Sequence, residues 1–487
     1  MRAGGGMRKS AGARVGKALR PALCLALVAC GTDEAADGPL TAEQRLDPQA
    51  CAECHPTHHK EWSGSMHAYA GEDPVFRAMN ARGQRETNGA LGDFCVKCHA
   101  PLAVEMGLTK DGLNLDEVPA HLRGVTCIFC HSATRVTGES NNPVMRADDG
   151  VMRGGIADPV PNPAHGSVRS SLHDGSSLTS SKLCGSCHDI VTPNGLHLER
   201  TFAEWKESIY ALEDSRFRNS CVSCHMPGRD GVAAEFEGVP LRRIHDHGNA
   251  GVDVALTDFP EREAQRERVQ LALNSTLLTE LCVVSVSGGA DIEVYVENVG
   301  AGHSFPSGAS QDRRLWLQLV ARAGAETLLE TGTQGDTEAL PEPGEDPDFW
   351  VFRDVLYDAQ DEITHDFWAA ARLTKEVLPA PNGALPGEPD YVNVHVPRRY
   401  RVIGPTPDRI DMVLKLRPMG LEVLQELVLS GDLAPEVVAA MPTFTLESTA
   451  LTWTPETAES RVSTYSDRPA LCVGLNGQSR RRTAPGR

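Results

Sequence analysis

The stretch Cys51-Ala52-Glu53-Cys54-His55 decides the character of the first half of this chain. Cys-x-x-Cys-His is the signature of covalent c-type haem attachment. The two thiols add across the vinyl groups of a haem, and the adjoining histidine becomes the proximal iron ligand. Two intervening residues place both sulfurs along one edge of the macrocycle. The stretch therefore predicts a haem attached at residues 51–55.

The same pattern recurs four times, at intervals of 44, 32, 57 and 37 residues counted between first cysteines. Zinc sites also use Cys-x-x-Cys pairs, but they do not require a histidine after each pair. The sequence therefore predicts five c-type haems. The predicted thioether cysteines are Cys51, Cys54, Cys95, Cys98, Cys127, Cys130, Cys184, Cys187, Cys221 and Cys224, and the predicted proximal ligands are His55, His99, His131, His188 and His225.

The N-terminus has the features of an export signal. Residues 1–20 carry six basic residues, and a short apolar run from Pro21 to Ala29 follows that is too short to span a bilayer. Leu27-Val28-Ala29-Cys30 is similar to a bacterial lipobox, which predicts lipidation at Cys30; an ordinary signal peptide is the alternative. We expect a lipoprotein signal over 1–30, a flexible tether over 31–50, and a location on the periplasmic side of, or at, the outer membrane.

The charge of the chain limits its partners. The formal net charge is −19, and removing residues 1–30 leaves 41 basic against 66 acidic residues, a net charge of −25. This balance excludes nucleic acid as a partner. It favours redox partner proteins with basic docking faces, in addition to a membrane contact through the lipid anchor at Cys30.

Two segments of the predicted haem domain, residues 51–250, echo one another. The frame Glu-Trp-x-x-Ser-x-(His/Tyr)-Ala occurs at 61–68 and again at 204–211, with His67 and Tyr210 in the variable place. Cys-x-x-Cys-His followed by Trp-x-x-Ser-x-His-Ala resembles the cytochrome c-554 family of multihaem cytochromes. The resemblance implies that His67 ligates the iron of a different haem. The chain departs from the best-known members in having five motifs instead of four.

Distal ligands are sought among the remaining histidines. Bis-His ligation of all five haems would use five of these histidines. Methionine ligation is the alternative, and it would raise the reduction potential of the haem. The methionines available are Met66, Met79, Met106 and Met226. Five-coordination at one site also stays open. His58, His59 and His121 are interpreted as surface or packing residues. The candidate ligands are His67, His197, His165 or His173 or both, and one of the His245–His247 pair, with His245 preferred.

The sequence changes character after residue 250. Alternating segments such as Asp291–Val299, Ile410–Leu416 and Phe444–Trp453 predict strands, and Leu421–Met441 predicts a helix interrupted near Gly431. We therefore predict a multidomain chain: a mainly α, loop-rich multihaem domain over 51–250, an antiparallel β-sandwich-like domain with one helix over 251–465, and a disordered tail over 466–487. Cys282 and Cys472 either form a disulfide or remain two buried thiols.

One loop of the β-rich domain is a candidate haem contact. Gly300 to Gly308 reads Gly-Ala-Gly-His-Ser-Phe-Pro-Ser-Gly and resembles a segment found after the haem cluster in some multihaem cytochromes. His303 is therefore a candidate ligand across the domain interface, the alternative being a purely structural or docking domain. The preferred function is electron transfer by hopping between haems. The alternative is a haem-dependent oxidoreductase of nitrogen or sulfur compounds with one open-coordination haem.

Overall fold

The computed structural model describes residues 38–341, 345–383 and 395–474. The predicted signal peptide, Cys30 and the last thirteen residues lie outside these ranges. Within them, no helix combines the length and the apolar character that a membrane span requires. The part of the predicted tether that is described, from residue 38, contains two short helices beginning at Ala42 and Pro48.

The haem region is built from short helices joined by long loops. The longest is Pro74–Glu86, which begins with an Asp73 cap and a proline in its first turn. The other helices are Ala42–Leu46, Pro48–Ala52, Pro56–Ser63, Met66–Tyr69, Val96–His99, Pro101–Glu105, Cys127–His131, Ser181–Gly185, Thr201–Glu207 and Cys221–His225, with 3₁₀ turns at Leu115–Glu117, Ala120–Leu122 and Leu178–Ser180.

Four two-stranded pairs accompany these helices, whereas the sequence predicted little sheet. The pairs are β1 (Ala133–Val136) with β2 (Val144–Arg146), β3 (Val151–Gly154) with β4 (Gly166–Arg169), β5 (Ile190–Val191) with β6 (His197–Glu199), and β7 (Gly228–Val232) with β8 (Leu241–His245). Only β3 and β4 run parallel among the described strand pairs. The strands are two to five residues long, so their period-2 pattern was too short to detect in the sequence.

The C-terminal region consists of antiparallel sheets, as predicted. One five-stranded sheet has the order β17-β10-β9-β21-β20, a second joins β12-β11-β18-β19 with β13 beside β11, and a small third sheet has the order β15-β14-β16. The strands are β9 Leu277–Val286, β10 Gly289–Asn298, β11 Arg314–Ala323, β12 Glu326–Thr331, β13 Val351–Phe352, β14 Val355–Tyr357, β15 Ile363–Thr364, β16 Arg372–Thr374, β17 His395–Ile403, β18 Arg409–Arg417, β19 Phe444–Trp453, β20 Glu459–Val462 and β21 Pro469–Gly474.

The two five-stranded sheets contribute to one hydrophobic core. Ile292 and Val294 on β10 and Leu315 and Leu317 on β11 are fully buried in the same cluster. The helices Leu421–Leu429 and Pro435–Ala440 pack against it with Leu424 and Val437, and they flank Gly431 as the sequence predicted. A third helix, Arg262–Leu273, links the haem region to β9.

The polar face of β10 is buried as well, which the alternating pattern did not indicate. Asp291 and Glu293 are 0% and 2% exposed. Arg468 donates to Asp291 at 2.8 Å and to Glu293 at 2.9 Å, while Arg401 pairs with Asp291. These carboxylates tolerate burial because arginines from β17 and from the turn before β21 neutralise them.

Residues 466–474 of the predicted tail belong to the folded β-rich region. Strand β21, Pro469–Gly474, pairs with β9 and carries Cys472 opposite Cys282. These two cysteines form a disulfide that closes a separation of 190 residues. The open choice between a disulfide and two thiols is therefore resolved in favour of the disulfide.

Replacing Cys282 and Cys472 together by serine should lower the free energy of unfolding by about 2–4 kcal/mol, because the cross-link restricts the unfolded chain. Denaturant unfolding of both proteins measures the difference. Adding a thiol reductant to the unsubstituted protein should produce the same loss and should leave the double variant unchanged. Equal stability of the two proteins without reductant would contradict a stabilising role.

Candidate haem-binding site

One continuous cavity joins the five Cys-x-x-Cys-His motifs. Its volume is about 2420 Å³, and its lining includes all ten motif cysteines and all five histidines that follow them. In motifs 1, 2 and 4 the histidine backbone N–H donates to the carbonyl of the first cysteine four residues earlier, for example from His55 to Cys51 at 2.8 Å. This helical turn places the thiols and the imidazole of a motif on the same side of its backbone.

The motifs, numbered in chain order, lie next to one another in a different order from that of the sequence. The thiol of Cys51 in motif 1 interacts with that of Cys127 in motif 3. Cys98 in motif 2 likewise interacts with Cys187 in motif 4, and Cys184 in motif 4 with Cys221 in motif 5. Cys130 of motif 3 also lies within electrostatic range of Cys184. The motifs therefore form a connected series 1–3–4, with motifs 2 and 5 both beside motif 4.

Four of the five proximal histidines face a second histidine ring. The ring centroids are separated by 6.3 Å for His55 and His165, 6.3 Å for His131 and His247, 6.2 Å for His188 and His67, and 6.4 Å for His225 and His303. Metal–imidazole bonds are about 2 Å long, so one ion ligated from opposite sides separates the ring centres by about 6 Å. The four pairs have the spacing that bis-His ligation requires.

Backbone carbonyls orient most of these rings. The Nδ1–H of His55 donates to Ala233 at 2.6 Å, that of His131 to Arg153 at 2.6 Å and that of His225 to Ala250 at 2.7 Å. On the facing side, His165 donates to Gly166 at 3.0 Å and His303 to Ser304 at 2.7 Å. Metal-bound histidines commonly donate their second ring N–H in this way, which leaves Nε2 free to ligate.

Burial keeps the facing imidazoles neutral, as metal ligation requires. Loss of solvation, followed by the influence of neighbouring histidines, lowers the pKa of His67 and of His188 to about 4. The same causes lower the pKa of His131 to about 4 and that of His247 to about 3. At neutral pH these rings therefore carry no charge and can offer a lone pair.

His99 of motif 2 is different, because no second histidine ring faces it within the described chain. Its ring is stacked on Phe76, with centroids 3.9 Å apart and planes inclined by 4°. Its Nδ1–H donates to the Ala70 carbonyl at 3.0 Å, so it is oriented like the other proximal histidines. Motif 2 thus has a proximal ligand and lacks a histidine partner among residues 38–341, 345–383 and 395–474.

The remaining candidate histidines occupy varied surroundings. The ring centroid of His173 lies 5.7 Å from that of His131. The Nε2–H of His173 donates to the Cys130 carbonyl, so Nε2 is not free to ligate, and its buried Nδ1 has no hydrogen-bond partner. His245 donates from Nδ1 to the Met226 carbonyl at 2.6 Å. His197 is exposed on β6 and makes no ring contact within the described residues. Neither His197 nor His245 faces the ring of a proximal histidine in the described chain, and their role as ligands stays a prediction.

Sequence reasoning preferred His245 over His247, whereas the structure places His247 opposite His131. His245 is the last residue of β8, whereas His247 lies in the segment after the strand, so the strand does not fix the direction of the His247 side chain. His247 is fixed by a bond from its backbone N–H to Glu61 at 3.1 Å. The Glu61 carboxylate also pairs with Arg229. That distant contact decides which histidine faces motif 3, and no local pattern encodes it.

The two echo segments have the same local structure. Trp62 donates its indole N–H to the Val125 carbonyl at 2.8 Å, and Trp205 donates to Asn219 at 3.0 Å. Val125 and Asn219 each lie two residues before a motif, at Cys127 and Cys221. Each tryptophan therefore docks its helix onto the start of the next haem motif.

The variable position of the echo is used differently in the two copies. The His67 carbonyl accepts from Val125 at 2.8 Å, and the Tyr210 carbonyl accepts from Asn219 at 3.0 Å, so the two residues are structurally equivalent. His67 faces His188, whereas the Tyr210 hydroxyl donates to the Val299 carbonyl at 2.6 Å. Tyr210 thus anchors the loop that carries His303.

The His303 loop is held tightly against the haem region. Ser307 donates to Glu204 at 2.8 Å and lies 2.8 Å from the Thr201 hydroxyl, and the Gly308 N–H donates to Thr201 at 3.1 Å. The Ile209 N–H donates to Pro381 at 2.8 Å. These bonds fasten the β-rich region to the Thr201–Glu207 helix beside motif 5.

The donor set fits haem c. Paired thiols and a proximal imidazole lie together at each motif and line one mostly apolar cavity, and four of the five imidazoles donate Nδ1–H to a backbone carbonyl. The buried Nδ1 of His173 is a polar atom left without a hydrogen-bond partner beside them. Residues 50–132 match the family described as cytochrome c554 and c-prime. The chain is a multihaem c-type cytochrome.

The fold of this multihaem cytochrome is similar to a solved one. A penta-heme cytochrome c552 from Thermochromatium tepidum superposes with a TM-score of 0.58 at 20% sequence identity, over 84% of this chain and 99% of that chain. No curated protein matches the sequence significantly. The family match covers the first three motifs, whereas the structural similarity extends into the β-rich region.

Proposed function

We propose that the protein carries electrons through five covalently bound haems, one at each Cys-x-x-Cys-His motif. The observation that carries this proposal is the single cavity that contacts all five motifs. When bound, c-type haems accept and release single electrons at potentials set by their axial ligands and burial. The similar solved structure is itself a penta-heme cytochrome. The protein's own part is to hold the groups close together and to fix their ligands.

The histidine pairs support a proposal for the residues that would hold each haem iron. These would be His55 and His165 at motif 1, His131 and His247 at motif 3, His188 and His67 at motif 4, and His225 and His303 at motif 5. His67 belongs to the segment that follows motif 1, and His303 belongs to the β-rich region. The chain therefore ties distant segments together through the ligand pairs, and the β-rich region acts as a clamp on motif 5.

The proposal includes an exported, lipid-anchored protein. The signal-like residues 1–30 and Cys30 support an anchor at the periplasmic side of, or at, the outer membrane. The net acidity supports redox partners with basic docking faces. The shared core of the two five-stranded sheets supports a sandwich-like packing for the C-terminal region.

Haem counting tests the first part of the proposal. The pyridine haemochrome absorbance per mole of protein, together with the intact mass, should give five haems per chain. Replacing both cysteines of one motif by alanine should remove one haem mass and leave four. A count below five in the fully matured, unsubstituted protein would overturn the proposal.

Motif 2 favours a second candidate function, a haem-dependent oxidoreductase acting on small nitrogen or sulfur compounds. The observation behind it is the unpaired His99, since an open coordination position is what ligand chemistry needs. Two carboxylates lie close by, because Asp253, which pairs with Arg313 at 2.8 Å, is within electrostatic range of His99 and of Asp73. Burial raises the pKa of Asp73 to about 6, which suits a group that exchanges protons near neutral pH.

Carbon monoxide should bind the reduced protein at one haem in five, because four irons have two imidazole ligands and motif 2 has one. The amplitude of the difference spectrum, calibrated on a haem with one open site, measures the fraction. His99→Ala should change the spectrum of the carbonyl form, whereas His121→Ala, at a position that does not line the haem cavity, should not. Absence of binding, or binding at two or more haems, would contradict the assignment.

A further inference from the structure

We propose that the hairpin of β7 and β8, residues 228–245, is the docking surface for a basic redox protein at the motif 1 end of the haem cavity. The inference rests on the proposed electron-transfer function and names the place and the chemistry of the partner contact. We call the hairpin, together with the neighbouring Glu53 and Val168, the hairpin rim.

The hairpin rim is attached directly to motif 1. The Ala233 carbonyl accepts the Nδ1–H of His55 at 2.6 Å. The Glu235 N–H donates to the Cys54 carbonyl at 2.7 Å. The connecting residues between the two strands also line the cavity at this end. A protein bound on the rim would therefore sit next to the first haem-attachment site.

The rim exposes apolar side chains. Val232 and Leu241 are opposite each other in the register of β7 and β8, and they are 41% and 73% exposed. Phe236 and Val168 line the cavity and are 38% and 46% exposed. Apolar side chains around a cofactor opening form the centre that a transient interface can cover.

The charge around this apolar centre is negative. Glu53, Glu235 and Glu237 are exposed, and none has an ion-pair partner in the described part of the chain. The positive charges of the hairpin arginines are compensated by other carboxylates. Arg229 pairs with Glu61, and Arg242 pairs with Asp158 at 2.7 Å. The remaining Arg243 lies opposite Asp230 in the strand register. Three carboxylates are thus left without compensation.

The cavity also reaches the surface near motif 5, but the charge there is balanced. Cys224 is exposed, and Leu271 lines the cavity at 72% exposure. The helix that carries Leu271 has Arg262 and Arg266 against Glu263 and Glu267, and its third arginine, Arg268, lies 3.7 Å from Asp246. Of these two places where the cavity reaches the surface, the motif 1 end carries the excess of negative charge, so a basic partner is favoured there.

The partner that fits the rim has a ring of lysines or arginines around an exposed cofactor edge. Opposite charges speed the encounter, and the apolar centre holds the short-lived complex. In the exchange one electron leaves the reduced protein and reduces the oxidised partner, and no bond forms or breaks. An acidic partner would be repelled from the same surface.

Stopped-flow oxidation of the dithionite-reduced protein by ferric mitochondrial cytochrome c, a small basic haem protein, tests the proposal. At low ionic strength, Glu235→Lys with Glu237→Lys should lower the second-order rate constant about tenfold, and added salt should reduce the difference. The matched control is Glu326→Lys with Glu330→Lys. It reverses two exposed glutamates on β12 with the same change in net charge.

The outcomes separate the docking surface from the electron-transfer function. A rate loss confined to the hairpin pair supports the docking surface. Equal losses in the two double variants, or no loss in either, would overturn it while leaving electron transfer intact. Failure of the unsubstituted protein to exchange electrons with cytochrome c and with a small inorganic oxidant such as ferricyanide would overturn both. Leu241→Asp tests the apolar centre of the rim separately. It should also lower the second-order rate constant, because it removes an exposed apolar side chain from that centre.

Discussion

Replacing His67 by alanine should raise the high-spin fraction of the oxidised protein from one haem in five to two in five. His67 lines the haem cavity, its ring centroid lies 6.2 Å from that of His188, and it is the single histidine ring opposite motif 4 in the described chain. Removing it takes one strong-field ligand from that iron, which then becomes high spin. Electron paramagnetic resonance and the charge-transfer absorbance measure the change.

His67→Ala must be distinguished from general damage to the fold. His59→Ala is a matched control, since His59 lies one helix earlier and contacts Trp62 without facing a proximal histidine. It should leave the spin state unchanged. Adding imidazole to His67→Ala should restore the low-spin signal by filling the vacated position. A low-spin spectrum in the variant without imidazole would refute the ligand role of His67.

Replacing His303 by alanine should likewise convert one haem to high spin, this time at motif 5. His303 reaches His225 from the β-rich region with nearly parallel rings, inclined by 11°. Because this ligand also fastens the two regions together, the variant should lose stability in addition to its ligand. Spin state and denaturant unfolding should therefore change together.

His303→Met separates ligation from packing. A methionine in this place can still ligate the iron, so the haem should remain low spin, and its reduction potential should rise. Tyr210→Phe is the complementary variant. It removes the hydrogen bond to Val299 that anchors the loop, at a cost of about 1 kcal/mol, and should leave all ligands in place. A His303→Met protein with an unchanged set of potentials would contradict ligation by His303.

The local chemistry of this chain could be predicted from the sequence, because each haem motif is a contiguous pattern. The strands β10, β18 and β19 were also predictable, since each is long enough for the alternation of polar and apolar residues to be detected. His67 and His303 were identified as candidates through their family resemblances, and the structure places both opposite a proximal ring.

The pairing of ligands could not be predicted, because it depends on contacts between distant segments. His165 and His173 looked equivalent, yet His165 faces His55 while His173 bonds to the Cys130 carbonyl. The lack of a partner at His99 was also hidden, since the sequence contains more histidines than the haems need. The two echo segments differ at Tyr210, whereas the proximal histidine without a facing histidine ring in the described chain is His99 of motif 2.

Within the described residues, four proximal histidines face a second histidine ring and His99 does not. Mössbauer spectroscopy of the oxidised, iron-57-enriched protein counts low-spin and high-spin irons directly and in the same sample. We expect five irons per chain, four low spin and one high spin, with the high-spin signal altered in His99→Ala. Five low-spin irons would contradict an open coordination position at motif 2, and two or more high-spin irons would contradict bis-His ligation of the other four haems.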